Sequence, residues 1–250
     1  MVLGGYVGGL VYRVWDKKQG GVRLRERDKL DAEQFLSRAE IEQLQVARLK
    51  ELLEYAAENS PWYQELFKNQ KFVPSEIVGL QDLENLPVTT KYDIRNNLKD
   101  FISRQYSTEE LVSAKTGGST GVSLTLYFDE LCQKKRNAAQ AMSDGWAKWR
   151  PGAQVAALWG NPPVAKTIKQ KLRSALLERM VYLDTMSVNT DSVRTFYKTC
   201  LNQQPSILFG HAHSIYLFAK KCKELGLDSL SFDGVISTSM MLLAHERDLI

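Results

Sequence analysis

Cysteine, histidine and charge of one sign are all scarce in this chain, which has three cysteines and three histidines among its 250 residues. Cys132, Cys200 and Cys222 are odd in number, far apart and free of any CxxC or Cys/His ligand spacing. That suggests neither a disulfide framework nor a zinc site and fits a reducing cytoplasm. His211 and His213 stand two apart without further ligands beside them, and His245 is remote in sequence, so they read as polar residues near a strand end. The 33 Lys+Arg against 29 Asp+Glu leave a formal +4 that is small for the length and interspersed, which argues against a nucleic-acid partner. No tandem repeat or low-complexity tract is visible. What is present is 44% hydrophobic residues, ample for a globular core.

The opening MVLGGYVGGLVYRVW is apolar for about fifteen residues, carries four glycines and has no basic n-region. It is too short to span a bilayer and wrongly flanked for a signal peptide. The cations that follow, Lys17, Lys18, Arg23, Arg25, Arg27 and Lys29, would let it rest on an anionic membrane surface. The preferred expectation for residues 1–35 is a loosely packed terminal arm with a solvated charged segment.

Residues 36–110 read as helical. Ser37 with Glu40 is a capping-box signature, and Ile41, Leu44, Ala47, Leu52 and Ala56 follow on one helical face to about Glu58. Ser60-Pro61 breaks that helix, and short helices follow at Tyr63–Phe67, after Pro74 and after Thr90, which pairs with Asp93 as a second start signal. From Leu111 the texture changes to strands alternating with amphipathic helices. LVSAK and SLTLYF are expected as antiparallel neighbours joined by TGGSTG, and Asp129 as the cap of a helix to about Trp149. QVAALWG, MVYLDT, SILFG and FDGVIST follow as strands, with helices near 165–179, 190–203 and 214–225. This rhythm implies parallel strands with right-handed crossovers, a layered α/β sheet over residues 111–250. The closing LLAHERDLI looks like a helix that stops without a cap, so the chain is expected to be the front part of something longer.

The turn TGGSTG, Thr116 to Gly121, concentrates chemistry. Glycines let backbone N–H groups approach a ligand closely, consecutive N–H groups form an anion nest, and the hydroxyls of Thr116, Ser119 and Thr120 add donors. A polyphosphate is the expected ligand. The loop is neither a Walker motif nor a dinucleotide fingerprint, because Val122 and Ser123 lead into a strand and no helix follows immediately. By itself the turn also suits an ordinary hairpin.

The segment resembles the T-[SG]-G-[ST]-T-G-x-P loop of the adenylate-forming superfamily, and the chain more narrowly resembles its phenylacetate-CoA ligase branch with the CapK-like members associated with capsular polysaccharide biosynthesis. Asn59, Pro61 and Tyr63 stand in that branch's N-x-P-x-Y phrase, and Leu86 through Arg95 in its LP-x-TTK-x-D-[IL]-R phrase. Leu158, Trp159 and Gly160 close a matching helix-to-strand passage, and PSILFGHAHSIYLFAKKCKELGL is similar to the P-x-x-L-x-GY-x-S-x-L-x-x-LA phrase.

The resemblance implies a fold with a helical lead-in and a layered α/β sheet, incomplete at its C-terminal side. It also implies an ATP-dependent activation of a small carboxylic acid as its adenylate, with Mg2+ bridging phosphates and possible transfer of the acyl group to coenzyme A. Thr116, Gly117, Gly118, Ser119, Thr120 and Gly121 would hold the phosphates. Trp159, Gly160, Gly210 and His211, with neighbouring Phe209, would line the acid pocket, and Ser239 and Met240 would lie beside the adenine. Two departures stand out: Ser123 replaces the usual proline, which is expected to loosen the turn, and Met240 replaces an acidic residue. The family's catalytic Lys and ribose-binding Asp are expected beyond Ile250. The competing function is a non-catalytic nucleotide-binding or scaffold protein that keeps the fold.

Overall fold

The computed structural model describes residues 2–116 and 123–250. Where a loose arm was expected, it has two helices, α1 (Val2–Lys18) and α2 (Val22–Glu33). The four glycines of α1 weaken its intrinsic helix propensity, but Gly8 is buried and lies against Gly152, so packing overrides propensity there.

Helix α3 (Arg38–Asn59) starts where the Ser37/Glu40 signature places it: the Ser37 N–H donates to Glu40 Oε2 at 2.8 Å and Ser37 Oγ accepts from the Glu40 N–H at 3.4 Å. Pro61 opens α4 (Pro61–Gln70), whose fixed φ suits the first helical position. Two 3-10 turns, Pro74–Glu76 and Leu80–Asn85, lead to α5 (Lys91–Asn96), capped by Thr90 and Asp93, and to α6 (Leu98–Phe101).

Strands β1 (Val112–Lys115) and β2 (Thr125–Phe128) pair antiparallel, Val112 opposite Phe128 and Lys115 opposite Thr125. Asp129 caps α7 (Glu130–Trp146) by accepting from the Cys132 N–H. Then come β3 (Val155–Trp159), α8 (Ile168–Arg173) with a π-turn after it, β4 (Met180–Asp184) and α9 (Thr190–Gln203). β5 (Ile207–His211), α10 (Ala212–Glu224), β6 (Gly234–Thr238) and the short α11 (Ala244–Arg247) complete the described elements.

The chain divides into two compact units, Lys29–Arg136 and a discontinuous one of Met1–Asp28 with Asn137–Ile250. These divisions do not coincide with breaks at 35 and 110, because the β1–β2 hairpin clusters with the helices that precede it. In the first unit Leu53, Phe67 and Ile77 are buried, with Tyr63, Leu66 and Phe72 packed around them.

In the other unit β4-β3-β5-β6 form a parallel sheet. Central β3 reads VAALW and its first four residues are buried, the near-continuous apolar run of a strand covered on both faces. Leu158, Leu183 and Leu208 pack against Val193 and Phe196 of α9 and Ile215 and Phe218 of α10. β6, at one sheet edge, alternates between half-buried and exposed residues.

Candidate functional site

Of the expected phosphate loop, Gly117, Gly118, Ser119, Thr120 and Gly121 lie outside the described residues. Its base is described. The Thr116 N–H donates to the Leu124 carbonyl at 2.9 Å, and the Leu124 N–H donates back to Thr116 Oγ1 at 3.0 Å. The Thr116 hydroxyl therefore accepts one bond and keeps its own proton to donate. Where the usual proline would stand, Ser123 Oγ donates to the Thr116 carbonyl at 2.9 Å; the turn it closes lies outside the described residues. A hydroxyl supplies by hydrogen bonding some of the restraint that a proline ring supplies through φ.

Trp159, Gly160, Gly210, His211, Ser239 and Met240 all belong to the unit that contains the sheet, at or just past the carboxyl ends of β3, β5 and β6. One step beyond the Leu158–Gly210 pair, Trp159 and His211 stand side by side with ring centroids 4.4 Å apart. Trp159 also stacks on Phe209 at 5.5 Å and 17°. Because alternate residues of a strand share a face, Trp159, Phe209 and His211 form a half-buried aromatic ledge on the sheet face opposite the α9–α10 core.

Gly210 lies on the other face. A Cβ there would meet the Leu158 carbonyl oxygen at 2.8 Å and Ile215 Cγ1 at 3.3 Å, so its lack of a side chain serves the packing of β3, β5 and α10. Gly160 follows β3 beside Met186 and Thr185. Ser239, one residue beyond the His211–Thr238 pair, has a left-handed φ of 68°, and Met240 next to it is 58% exposed.

Some groups at this rim are not evident from sequence. Asn161 turns the chain after β3 with φ 52°, and its N–H donates to Asp184 Oδ1 at 3.3 Å, as does the Met186 N–H at 2.9 Å. The Asp184 carboxylate thus joins the turns after β3 and β4; an Asn directly after a strand-end glycine was the available signal. Glu246 is buried on α11, where its carboxylate accepts from His213 Nδ1 at 2.8 Å and from the Leu243 N–H at 3.1 Å. No sequence pattern announces a pair so far apart.

Cys200 and Cys222 are buried, and burial pushes their thiols up to about 12 and about 11, which makes both inert as nucleophiles at neutral pH. Among the described residues no group of three or more His, Cys, Asp or Glu side chains could hold a metal ion, and no helix is long and apolar enough to cross a membrane.

No family profile matches the chain. Two curated proteins match it in sequence. Protein CapK of Staphylococcus aureus is 34% identical over 85 residues, 34% of this chain and 18% of that protein. Phenylacetate-coenzyme A ligase of Escherichia coli strain K12 is 41% identical over 69 residues, 28% of this chain and 16% of that protein.

Among solved structures, the chain superposes on 2-hydroxyisobutyryl-CoA ligase in an open conformation, in complex with 2-HIB-AMP and CoA. The TM-score is 0.56 at 18% identity, covering 77% of this chain and 45% of that one. The same ligase in its thioesterification state, also with 2-HIB-AMP and CoA, gives a TM-score of 0.57 at 19% identity, covering 77% and 41%. At these identities the structural likeness establishes the α/β fold. The matched stretches span less than a fifth of each curated relative and less than half of the solved ligase.

Proposed function

We propose an acid-activating role for a chain that belongs, over the stretches compared, to the adenylate-forming enzymes. It forms part of an ATP-dependent ligase. A carboxylate oxygen of a small acid attacks the α-phosphorus of ATP, the bond to the β-phosphate bridging oxygen breaks, and pyrophosphate leaves an acyl-adenylate. A thiol then attacks the acyl carbon and AMP departs; coenzyme A is the proposed thiol, because the ligase that shares the fold is seen with an acyl-AMP and CoA.

Such chemistry asks the protein mainly for positioning and charge stabilisation. Backbone N–H groups and hydroxyls from Thr116 to Gly121 would cradle the departing phosphates. The Trp159–Phe209–His211 ledge offers an aromatic surface with one polar edge, suited to an acid's hydrocarbon part. Backbone at Ser239 and Met240 would border the adenine. Magnesium would neutralise charge on the ATP phosphates.

The observation that carries this function is the sequence kinship with phenylacetate-coenzyme A ligase. Kinship with CapK supports, as a finer proposal, a place in surface-polysaccharide assembly. The test is exchange of labelled pyrophosphate into ATP, by the chain itself or by any longer protein that contains it, across a panel of carboxylic acids. Exchange with at least one acid is expected, and Thr120→Ala should slow it roughly a hundredfold. Silence across the panel, or unchanged exchange in Thr120→Ala, removes the acid-activating role.

One observation favours a non-catalytic nucleotide-binding scaffold instead: exposed Met240 stands where the resemblance places an acidic residue. ATP binding by calorimetry without any adenylate formed would select that alternative.

A further inference from the structure

Helix α1 is built inside out. Gly8 and Gly9 face the body of their unit: a Cβ on Gly8 would meet Gly152 Cα and Arg179 Cδ at 3.0 Å, and one on Gly9 would meet the Pro151 carbonyl oxygen at 2.9 Å. Gly152 reciprocates, since a Cβ there would fall 2.7 Å from the Gly5 carbonyl oxygen. The acid of α1, Asp16, is fully buried and spent inside the unit, accepting from Arg23 Nη1 at 3.3 Å and from the Leu24 N–H at 3.1 Å.

The apolar side chains are left outside. Tyr6, Val7, Leu10 and Val14 are 75%, 52%, 63% and 49% exposed. At about 100° per residue they fall on one stripe roughly 100° wide. Arg13 borders the stripe on one side, seven residues after Tyr6; Lys18 borders it on the other, four after Val14; Lys17 continues it, seven after Leu10. None of these three cations forms an ion pair among the described residues. No carboxylate of α1 shares that face.

An apolar stripe edged only by cations calls for an occupant that is apolar inside and anionic at its surface. A second copy fits poorly: an isologous contact would set one cationic border against the other without counter-charge. A stable dimer also needs about 800 Å² per partner, more than this stripe alone offers. We propose that α1 is an interfacial helix that seats this chain on an anionic lipid surface. Tyr6, Val7, Leu10 and Val14 enter the acyl boundary, and Arg13, Lys17 and Lys18 meet the phosphate-bearing headgroups.

Sedimentation of the 250-residue chain with vesicles is the test, comparing phosphatidylcholine alone with phosphatidylcholine mixed with phosphatidylserine. Binding is expected to the anionic vesicles and to weaken with salt. Lys17→Gln with Lys18→Gln should lower the partition by roughly tenfold. Leu10→Ser with Val14→Ser should abolish it while circular dichroism and melting stay unchanged, because these side chains are exposed. Equal binding to both vesicle types, binding that survives Leu10→Ser with Val14→Ser, or a self-association in sedimentation velocity that the same double variant dissolves would each overturn it.

Discussion

At the scale of single residues, Glu246 is a buried group whose titration the structure ties to folding. The hydrogen bond from His213, then that from the Leu243 N–H, holds its carboxyl below the usual carboxylate range, and the nearby His245 adds to the effect. His213 donates through Nδ1, either as the neutral tautomer bearing hydrogen there or as the imidazolium. A folded value lower than the unfolded one means that the stabilisation is full above the unfolded carboxylate pKa, about 4.3. It is lost as pH falls through the folded value. The docking of α11 on α10 should therefore loosen in acid, and His213→Ala should move the carboxyl midpoint of Glu246 upward, read by NMR of the side-chain carbon. An unchanged midpoint in that variant would mean that the pair does not govern the shift. Ser239 makes a second case. A non-glycine residue in the left-handed region costs about 1–2 kcal/mol, partly offset by the entropy that a glycine would lose. Ser239→Gly should raise the unfolding free energy by about 1 kcal/mol in urea, and a lowered midpoint would show that the serine is held there by contacts of its own.

At the scale of elements, α9 shows how a cap and a buried face act together. The Ser192 N–H donates to Asn189 Oδ1 at 2.9 Å, while Val193, Phe196, Tyr197 and Cys200 face the sheet. Asn189→Ala should cost about 1 kcal/mol, seen as a lower denaturation midpoint with fastest amide exchange in the first turn of α9; uniform exchange along the helix would contradict a local capping role. Such elements were legible in sequence because their physics is local. The runs VAALW and SILFG, the Ser37/Glu40 and Thr90/Asp93 boxes and Pro61 each carry their own signal, and the structure has strands and helices where those signals fall. Helix α1 was not legible, since its glycines weigh against a helix until the close approach to Gly152 is known. At the candidate site, the strand-end positions of Trp159 and His211 were readable from the β/α rhythm. The opposite facing of Gly210, the turn at Asn161 and the His213–Glu246 pair were not, because each depends on neighbours distant in sequence.

At the scale of the whole molecule, the two units differ in how the chain builds them. The unit with the parallel sheet is made of Met1–Asp28 and Asn137–Ile250, so it closes only after the intervening segment has been made. Lys29–Arg136 is continuous, and its core, Leu53, Phe67 and Ile77 with Tyr63, Leu66 and Phe72, comes entirely from within it. Its helices are tied together from within, as where Ser60 Oγ donates to the Asp100 carbonyl and Trp62 stacks on Phe101. Residues 29–136 produced alone should then be helical and melt cooperatively, even though the cuts pass through α2 and α7. Phe67→Ala removes the buried ring at the centre of its core and should cost about 3–5 kcal/mol, a large share of a small domain's stability, and so lower the segment's melting midpoint. Circular dichroism against temperature decides it. A segment that is helical but melts without cooperativity, or that tolerates Phe67→Ala, would show that its core is not self-sufficient.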